Sequence, residues 1–578
     1  MLKYTLSYNN PQDHFLDIEF LVTDINADHI IVNLASWRPG RYELGNFAKN
    51  IQRWEVFDAD NQPIESKKVT KDSWRIETKN THTLVIRYNY YAAELNAGST
   101  YLNENQLYVN PVNCMVYIAD RMNETCEIQL IVPGNYQLAC SLAKQKKHLL
   151  IASGFDELAD SPFIASATMK KTEYAAGGCT FNLWFQGDCA PDFSKICKHF
   201  EAFTNRQIEL FGDIECREYH FLFQMLPYPF HHGVEHSNNT VIALGPGNDL
   251  MSNTLYTDFL GVSSHELFHL WNVKRIRPAE MLPYNFQKEN YSRQGYIYEG
   301  ITTYYGDLEL WRSGVYNWEE YCNEFNTQLK KHFDNYGRYN LSLADSSFDT
   351  WLDGYVPGIP NRKVSIYTEG MLAAFILDIQ IIKQTEAECC LDDVMFALYH
   401  DVYKKGKGYT QGIYQELIER ISGHRYNWYF EELINGKGKI EVYLPKALEI
   451  IGCQLKISPS DKWQERLFGV RTVLLNGSNK IEQIAPNSPA EKGGLAKGDL
   501  ILGINELIIP ANNEMAELSV DLFIHNPIRF FIERGSKKTE ITLQTVDKNF
   551  FDQNLLEKAG KQSNLQMRYF DKWKRGRG

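Results

Sequence analysis

His265 and His269 stand four residues apart in the stretch HELFH, a spacing that sets two side chains about one turn apart on the same face of an α-helix. Two imidazoles so placed can converge on one metal ion, and Glu266 between them brings a carboxylate to the position where a metal-activated water would sit. The chemistry this suits is hydrolysis, with the metal acidifying water and the carboxylate moving its proton. Leu267, Phe268, Leu270 and Trp271 are expected to bury the helix in a core, and Pro278 to end it. HExxH also arises by chance in long chains, so a third ligand is needed. Glu299, in YIYEGITTYYGDLELW, supplies one, since a catalytic zinc takes three protein ligands and keeps one position open. On its own, Glu299 could equally be a first-turn helix acid favoured by the macrodipole by about 0.3–1 kcal/mol.

HELFHLWNVKRIRP followed by YEGITTYY resembles the glycyl aminopeptidase family of zinc metallopeptidases, within the gluzincin group. SWRPGRYELGNFAKNI at residues 36–51 resembles that family's β-domain signature. The resemblance implies His265, His269 and Glu299 as ligands of one zinc ion and Glu266 as general base. SIYTEG at residues 365–370 is similar to the YEKG segment that carries an oxyanion tyrosine in larger related aminopeptidases, which points to Tyr367. Tyr304 and Tyr305, beside Glu299, compete for that role. HHGVEH at residues 231–236 resembles the GxMEN exopeptidase segment, with Gly233 and Glu235 matching and His236 in place of asparagine. Glu235 is thereby implied as the anion that holds a substrate's α-amine. Such a contact would set the first peptide bond over zinc and enforce removal of N-terminal residues. His231, His232 and His236 read as pocket walls rather than as a second metal site. Lys274, Arg275 and Arg277 read as cations at the helix C-terminus, complementing its dipole.

These groups must be held by a multidomain α+β chain. At 578 residues it exceeds one hydrophobic core. Short alternating runs bounded by Asn, Gly and Pro predict a β-sandwich-like domain over 1–172. Long helical patterns follow in a mainly helical peptidase domain over 173–450. NSPAEKGGLAKGDLILGINE at residues 487–506 resembles bacterial PDZ domains, which implies a PDZ-like module over 451–548. Gly493, Gly494 and Gly498 are expected in its turns, and a backbone nest for a peptide C-terminus near residues 467–470. Residues 549–578, ending in basic YFDKWKRGRG, read as a tail expected to fray.

The formal charge of -12 argues against non-specific nucleic-acid binding, which needs a basic surface. The first twenty residues lack a signal-peptide core, and GMLAAFILDIQII is too short to span a bilayer. A cytoplasmic location with no membrane partner is the expectation. The eleven cysteines lack CxxC spacing and read as reduced thiols. The leading reading is a zinc aminopeptidase acting on peptides with N-terminal glycine or alanine. An endopeptidase recruiting proteins through its PDZ module, or a non-catalytic PDZ adaptor, are the alternatives.

Overall fold

The computed structural model describes residues 2–356, 358–518 and 527–577. They divide into two compact units: Met1–Tyr321 with Gly337–Ile451 and Ser563–Gly578, and Cys322–Tyr336 with Gly452–Gln562.

The N-terminal region of the first unit is β-rich. In Phe15–Val22 the residues Leu16, Ile18, Phe20 and Val22 are buried and those between them are half-exposed, the period of two that a strand with one covered face requires. This strand lies inside a seven-stranded sheet, flanked by Leu2–Ser7 and Leu84–Tyr91. Most pairs in that sheet are antiparallel, with Leu2–Ser7 parallel to Cys126–Leu130. Three- and four-stranded sheets complete the region.

A five-stranded mixed sheet follows: β1 (Lys170–Ala176), β2 (Cys179–Gln186), β3 (Glu218–Met225), β4 (Phe230–Glu235) and β5 (Asn239–Gly245), in the order β1-β2-β3-β5-β4. β2, β3 and β5 are parallel, and β3 is buried at all but its first residue, as a parallel strand covered on both faces should be. β4 pairs antiparallel with β5 and forms the sheet's edge. β1 crosses residue 172, so the boundary expected there falls inside a strand.

The helical body is built on α1 (Phe193–Phe211), α2 (Asn253–Phe268), α3 (Thr302–Arg312) and α4 (Ile366–Gln384). Asp192, Ser252 and Ser365 cap α1, α2 and α4 by accepting a hydrogen bond from the backbone N–H three residues on, which satisfies a donor that the first turn leaves free. The apolar run noted in the sequence is α4, buried on nearly all sides in the protein core. Among the described residues no helix is long and apolar enough to cross a membrane.

The expected C-terminal tail is corrected. Residues 564–575 form α5 (Asn564–Arg575), which belongs to the first unit and opens with a capping box between Ser563 and Gln566. Tyr569, Phe570 and Trp573 are buried, and Trp573 Nε1 donates to Tyr304 Oη at 2.8 Å. Three apolar rings on one face outweigh the segment's basic charges, which stay on the outer face.

In the second unit Val470–Leu475, Ser478–Ile484, Leu500–Ile504, Ile528–Arg534 and Lys537–Leu543 form one antiparallel sheet over a core that includes Trp463, Phe468 and Phe530. Residues 519–526 of the expected PDZ-like span lie outside the described residues. Gly494 and Gly498 take φ of +90° and +94°, turn conformations that favour glycine. Gly493 instead ends a short helix, where an added Cβ would overlap the Leu543 side chain.

Candidate active site

Ser252 starts α2, and its last turn delivers His265; His269 follows directly as the residue closing the helix. The Nε2 atoms of the two imidazoles lie 3.1 Å apart. His269 Nδ1 is 2.6 Å from the carbonyl oxygen of Asn272, which favours the tautomer that donates there and leaves Nε2 with a free lone pair. The helix ends at Phe268, ten residues before Pro278, so the proline is not its terminator. Turns take over, with Lys274 N bonded to His269 O and Ile276 N to Trp271 O.

Glu299 sits in a π-helical turn, Tyr296–Ile301, that leads into α3. Its Oε2 is 3.3 Å from His269 Nε2 and 3.8 Å from His265 Nε2. Gly300 and Gly370 explain the placement: a Cβ on Gly370 would lie 2.7 Å from the Gly300 Cα, so only two glycines let the π turn lie this close to the start of α4. That contact brings Tyr367, the second residue of α4, alongside, with its ring 6.4 Å from that of His265. Burial, then Glu299, pushes the Tyr367 hydroxyl well above its ordinary value, so it remains a proton donor at neutral pH. Tyr304 and Tyr305 are fully buried and donate to Asp378 (2.5 Å) and Asp392 (2.7 Å). Those bonds fix both hydroxyls in the core, away from the competing role.

Gly233 and Glu235 lie on β4, and a Cβ at Gly233 would overlap the Glu266 carboxylate. Glu266 and Glu235 are buried at 6% and 4% exposure, and Glu266 Oε2 has no hydrogen-bond partner among the described residues. One ligand atom each from His265, His269 and Glu299 comes within 4.8 Å of the others, as do those of Glu235, Glu266 and His269. The shared His269 makes these two descriptions of one centre rather than two sites.

This donor set fits a divalent cation. Three buried carboxylates surround two imidazoles, and although burial opposes it, Glu299 raises His269 to about 9. Against the same opposition from burial, His269 draws Glu299 down to about 2. The centre therefore favours positive charge, and two nitrogens and a carboxylate oxygen are ligands zinc accepts.

Other residues were not legible as parts of the site. Tyr42 Oη donates to Glu299 Oε1 at 3.3 Å, fixing the carboxylate from the N-terminal region. Asp160 Oδ1 is 3.0 Å from His236 Nδ1 and 2.7 Å from Lys274 Nζ, and Ser237 donates its N–H and hydroxyl to Oδ2. Lys274 is thus a buried ion-pair partner, not a cation on the helix dipole, while Arg275 Nη1 does donate to a carbonyl past the helix end, that of Leu270 at 2.7 Å. His232 is pushed down to about 3 by burial and by Arg38 and Arg41, which keeps it a neutral pocket wall. The sequence marked Tyr42 only as part of the block at residues 36–51, and DELADSP around Asp160 carried no signal.

Two imidazoles and a carboxylate facing one point, with a free carboxylate beside them in a helical body against a mixed sheet, define a metal-dependent hydrolase. Comparison with known families narrows the class. The model of the Peptidase M61 N-terminal domain matches residues 3–167, and that of M61 glycyl aminopeptidase matches residues 258–373. These two stretches carry the N-terminal and peptidase domains of M61 peptidases, and the chain is a zinc metallopeptidase. A solved aminopeptidase N family protein from Idiomarina loihiensis shares the fold at TM-score 0.90 and 22% identity, over 99% of each chain. A substrate-bound M1 zinc metallopeptidase from Deinococcus radiodurans is similar at TM-score 0.47 and 12% identity, over 76% of this chain and 94% of that one. No curated protein matches the chain.

Proposed function

We propose that the protein is an aminopeptidase that removes small N-terminal residues, glycine or alanine, from peptides. The observation that carries this reading is the Glu266 carboxylate, buried with a free Oε2 beside the His265, His269 and Glu299 cluster. Those three residues would hold one zinc ion, which when bound supplies Lewis acidity, polarising a peptide carbonyl and acidifying water near neutral pH.

The chain's own groups do the rest. Glu266 accepts a proton from the attacking water and passes it to the leaving amine. Tyr367 donates a hydrogen bond to the oxygen on which negative charge develops. The open edge of β4 pairs with an extended peptide backbone, and Gly233 leaves Glu266 the space it occupies. Glu235 holds the protonated α-amine, so the first peptide bond is the one presented. The family's description as a glycyl aminopeptidase supports the preference for small residues. We also propose that the second unit is PDZ-like; its six-stranded sheet, which includes the short strand Leu507–Ile508, and the left-handed Gly494 and Gly498 support this.

The test uses alanyl and glycyl peptides with free and acetylated N-termini, metal analysis, and Glu266→Gln. The variant is expected to keep its zinc and lose about 10²–10⁴-fold in kcat, and only free N-termini should be cleaved. Unchanged turnover in Glu266→Gln removes it as the base, and equal cleavage of acetylated peptides favours the endopeptidase.

A further inference from the structure

Arg38 is a buried cation without a hydrogen bond or salt bridge among the described residues, although the Glu235 carboxylate lies near enough for its charge to favour the guanidinium. Its residue is 6% exposed, and its guanidinium forms no hydrogen bond or ion pair among the described residues, with Nη1 fully enclosed and unpartnered. An isolated ionised group is expensive to bury, so such groups are normally paired or hydrogen-bonded. Gly98 makes room for it: a Cβ there would overlap the guanidinium. The neighbouring Arg41 is already paired with Glu43 and lies over the Tyr355 ring at 4.6 Å. Arg38 is thus the member of the pair that makes no salt bridge among the described residues.

Both arginines line a cavity of about 650 Å³ whose walls include Asn96, Ser99, Thr100 and Asn113. Asn113 Oδ1 in that wall is also buried without a partner. The same strand-to-turn segment reaches the active site. A Cβ on Gly40, at φ +87°, would lie 2.5 Å from Glu235 Oε2, and Tyr42 bonds Glu299. Two and four residues on from Arg38, the same segment therefore packs against the amine-binding carboxylate and the Glu299 carboxylate.

We propose that Arg38 is an anion subsite of the substrate cleft, receiving a carboxylate carried by the peptide while Glu235 holds its α-amine. This rests on the aminopeptidase reading. A guanidinium matches a carboxylate with two parallel hydrogen bonds, and a zwitterionic short peptide offers both charges within two or three residues, roughly 7–10 Å of extended chain. The carboxylate can come from the peptide's C-terminus or from an acidic side chain near the cleaved bond.

Substrate pairs that differ only in that charge separate these sources: Ala-Ala against its C-terminal amide, Ala-Glu amide against Ala-Gln amide, and Glu against Gln anilide. kcat/KM is measured for the wild type, Arg38→Lys and Arg38→Met, and calorimetric affinity for the same pairs in zinc-loaded Glu266→Gln protein with and without Arg38→Met. At least one pair is expected to favour the carboxylate by about tenfold or more. Arg38→Met should erase that preference while leaving the uncharged partner's constants in place, and Arg38→Lys should keep part of it. Equal affinities within every pair, or a loss in Arg38→Met that is the same for charged and uncharged partners, overturns the proposal. Absence of cleavage by the wild type would refute the aminopeptidase reading, and the affinities would still decide the role of Arg38.

Discussion

The pair between Asp160 and Lys274 allows a quantitative test of how the wall behind Glu235 is held. Lys274 Nζ is 2.7 Å from Asp160 Oδ1, with the two side chains 1% and 16% exposed. Removing one member of a buried pair strands the other charge, at about 3–5 kcal/mol. Asp160 keeps some contact with solvent and three further donors, from His236 and Ser237, so Lys274→Met belongs at the lower end, about 3 kcal/mol. Asp160→Asn leaves an ammonium with 1% exposure and should cost nearer about 5 kcal/mol. The double variant, which buries no unpaired charge, should cost less than the sum, with a coupling of at least about 2 kcal/mol. Urea unfolding followed by tryptophan emission measures all three. pH supplies a second check. Burial raises the Asp160 carboxyl, but the Lys274 ammonium and then the hydrogen bond from His236 overcome this and hold it well below the ordinary carboxylate range. Its pKa is depressed in the folded state, so its contribution is complete above the unfolded value of about 3.9 and disappears as pH falls toward the folded one. Wild-type stability should therefore drop more steeply below about pH 4 than that of Asp160→Asn. Additive single variants, or acid limbs of equal slope, would show that the two charges act separately and would sink the reasoning.

Two further outcomes distinguish catalytic from structural roles. Tyr367→Phe is expected to lower kcat by about 10²–10³-fold with the unfolding midpoint unchanged, whereas Tyr304→Phe, which strips a donor from the buried Asp378 carboxylate, should cost about 1–3 kcal/mol of stability and leave kcat near wild type; steady-state kinetics beside thermal unfolding reads both. Trp573→Ala, which empties a fully buried ring site on α5, should destabilise by about 3–5 kcal/mol in the same unfolding assay.

What could be read in advance depended on how far apart in the chain the partners lie. His265, Glu266 and His269 were legible because a helical turn fixes their geometry without help from anything distant. Glu299 is 30 residues beyond His269 across irregular chain, so the need for a third ligand made it a candidate and the family resemblance singled it out; its position comes from the π turn and from two glycines, Gly300 and Gly370, that pack backbone to backbone. Tyr42 and Asp160 were invisible for a related reason. Their partners are 257 and 114 residues away, and no local pattern encodes a contact of that span. The C-terminal helix was different, since its signals were local and a weaker one was preferred. Ser563 and Gln566 spell a capping box, and Tyr569, Phe570 and Trp573 fall on one helical face, yet the run of basic residues suggested a solvated end. Arg312 Nη2 donates to Trp573 O at 2.7 Å and Arg577 N to Asp392 Oδ2 at 2.8 Å, so the backbone of this terminal segment completes the hydrogen bonding of a buried charge cluster. A stretch whose main chain serves that purpose stays ordered however polar its side chains are, and charge pattern alone cannot report it.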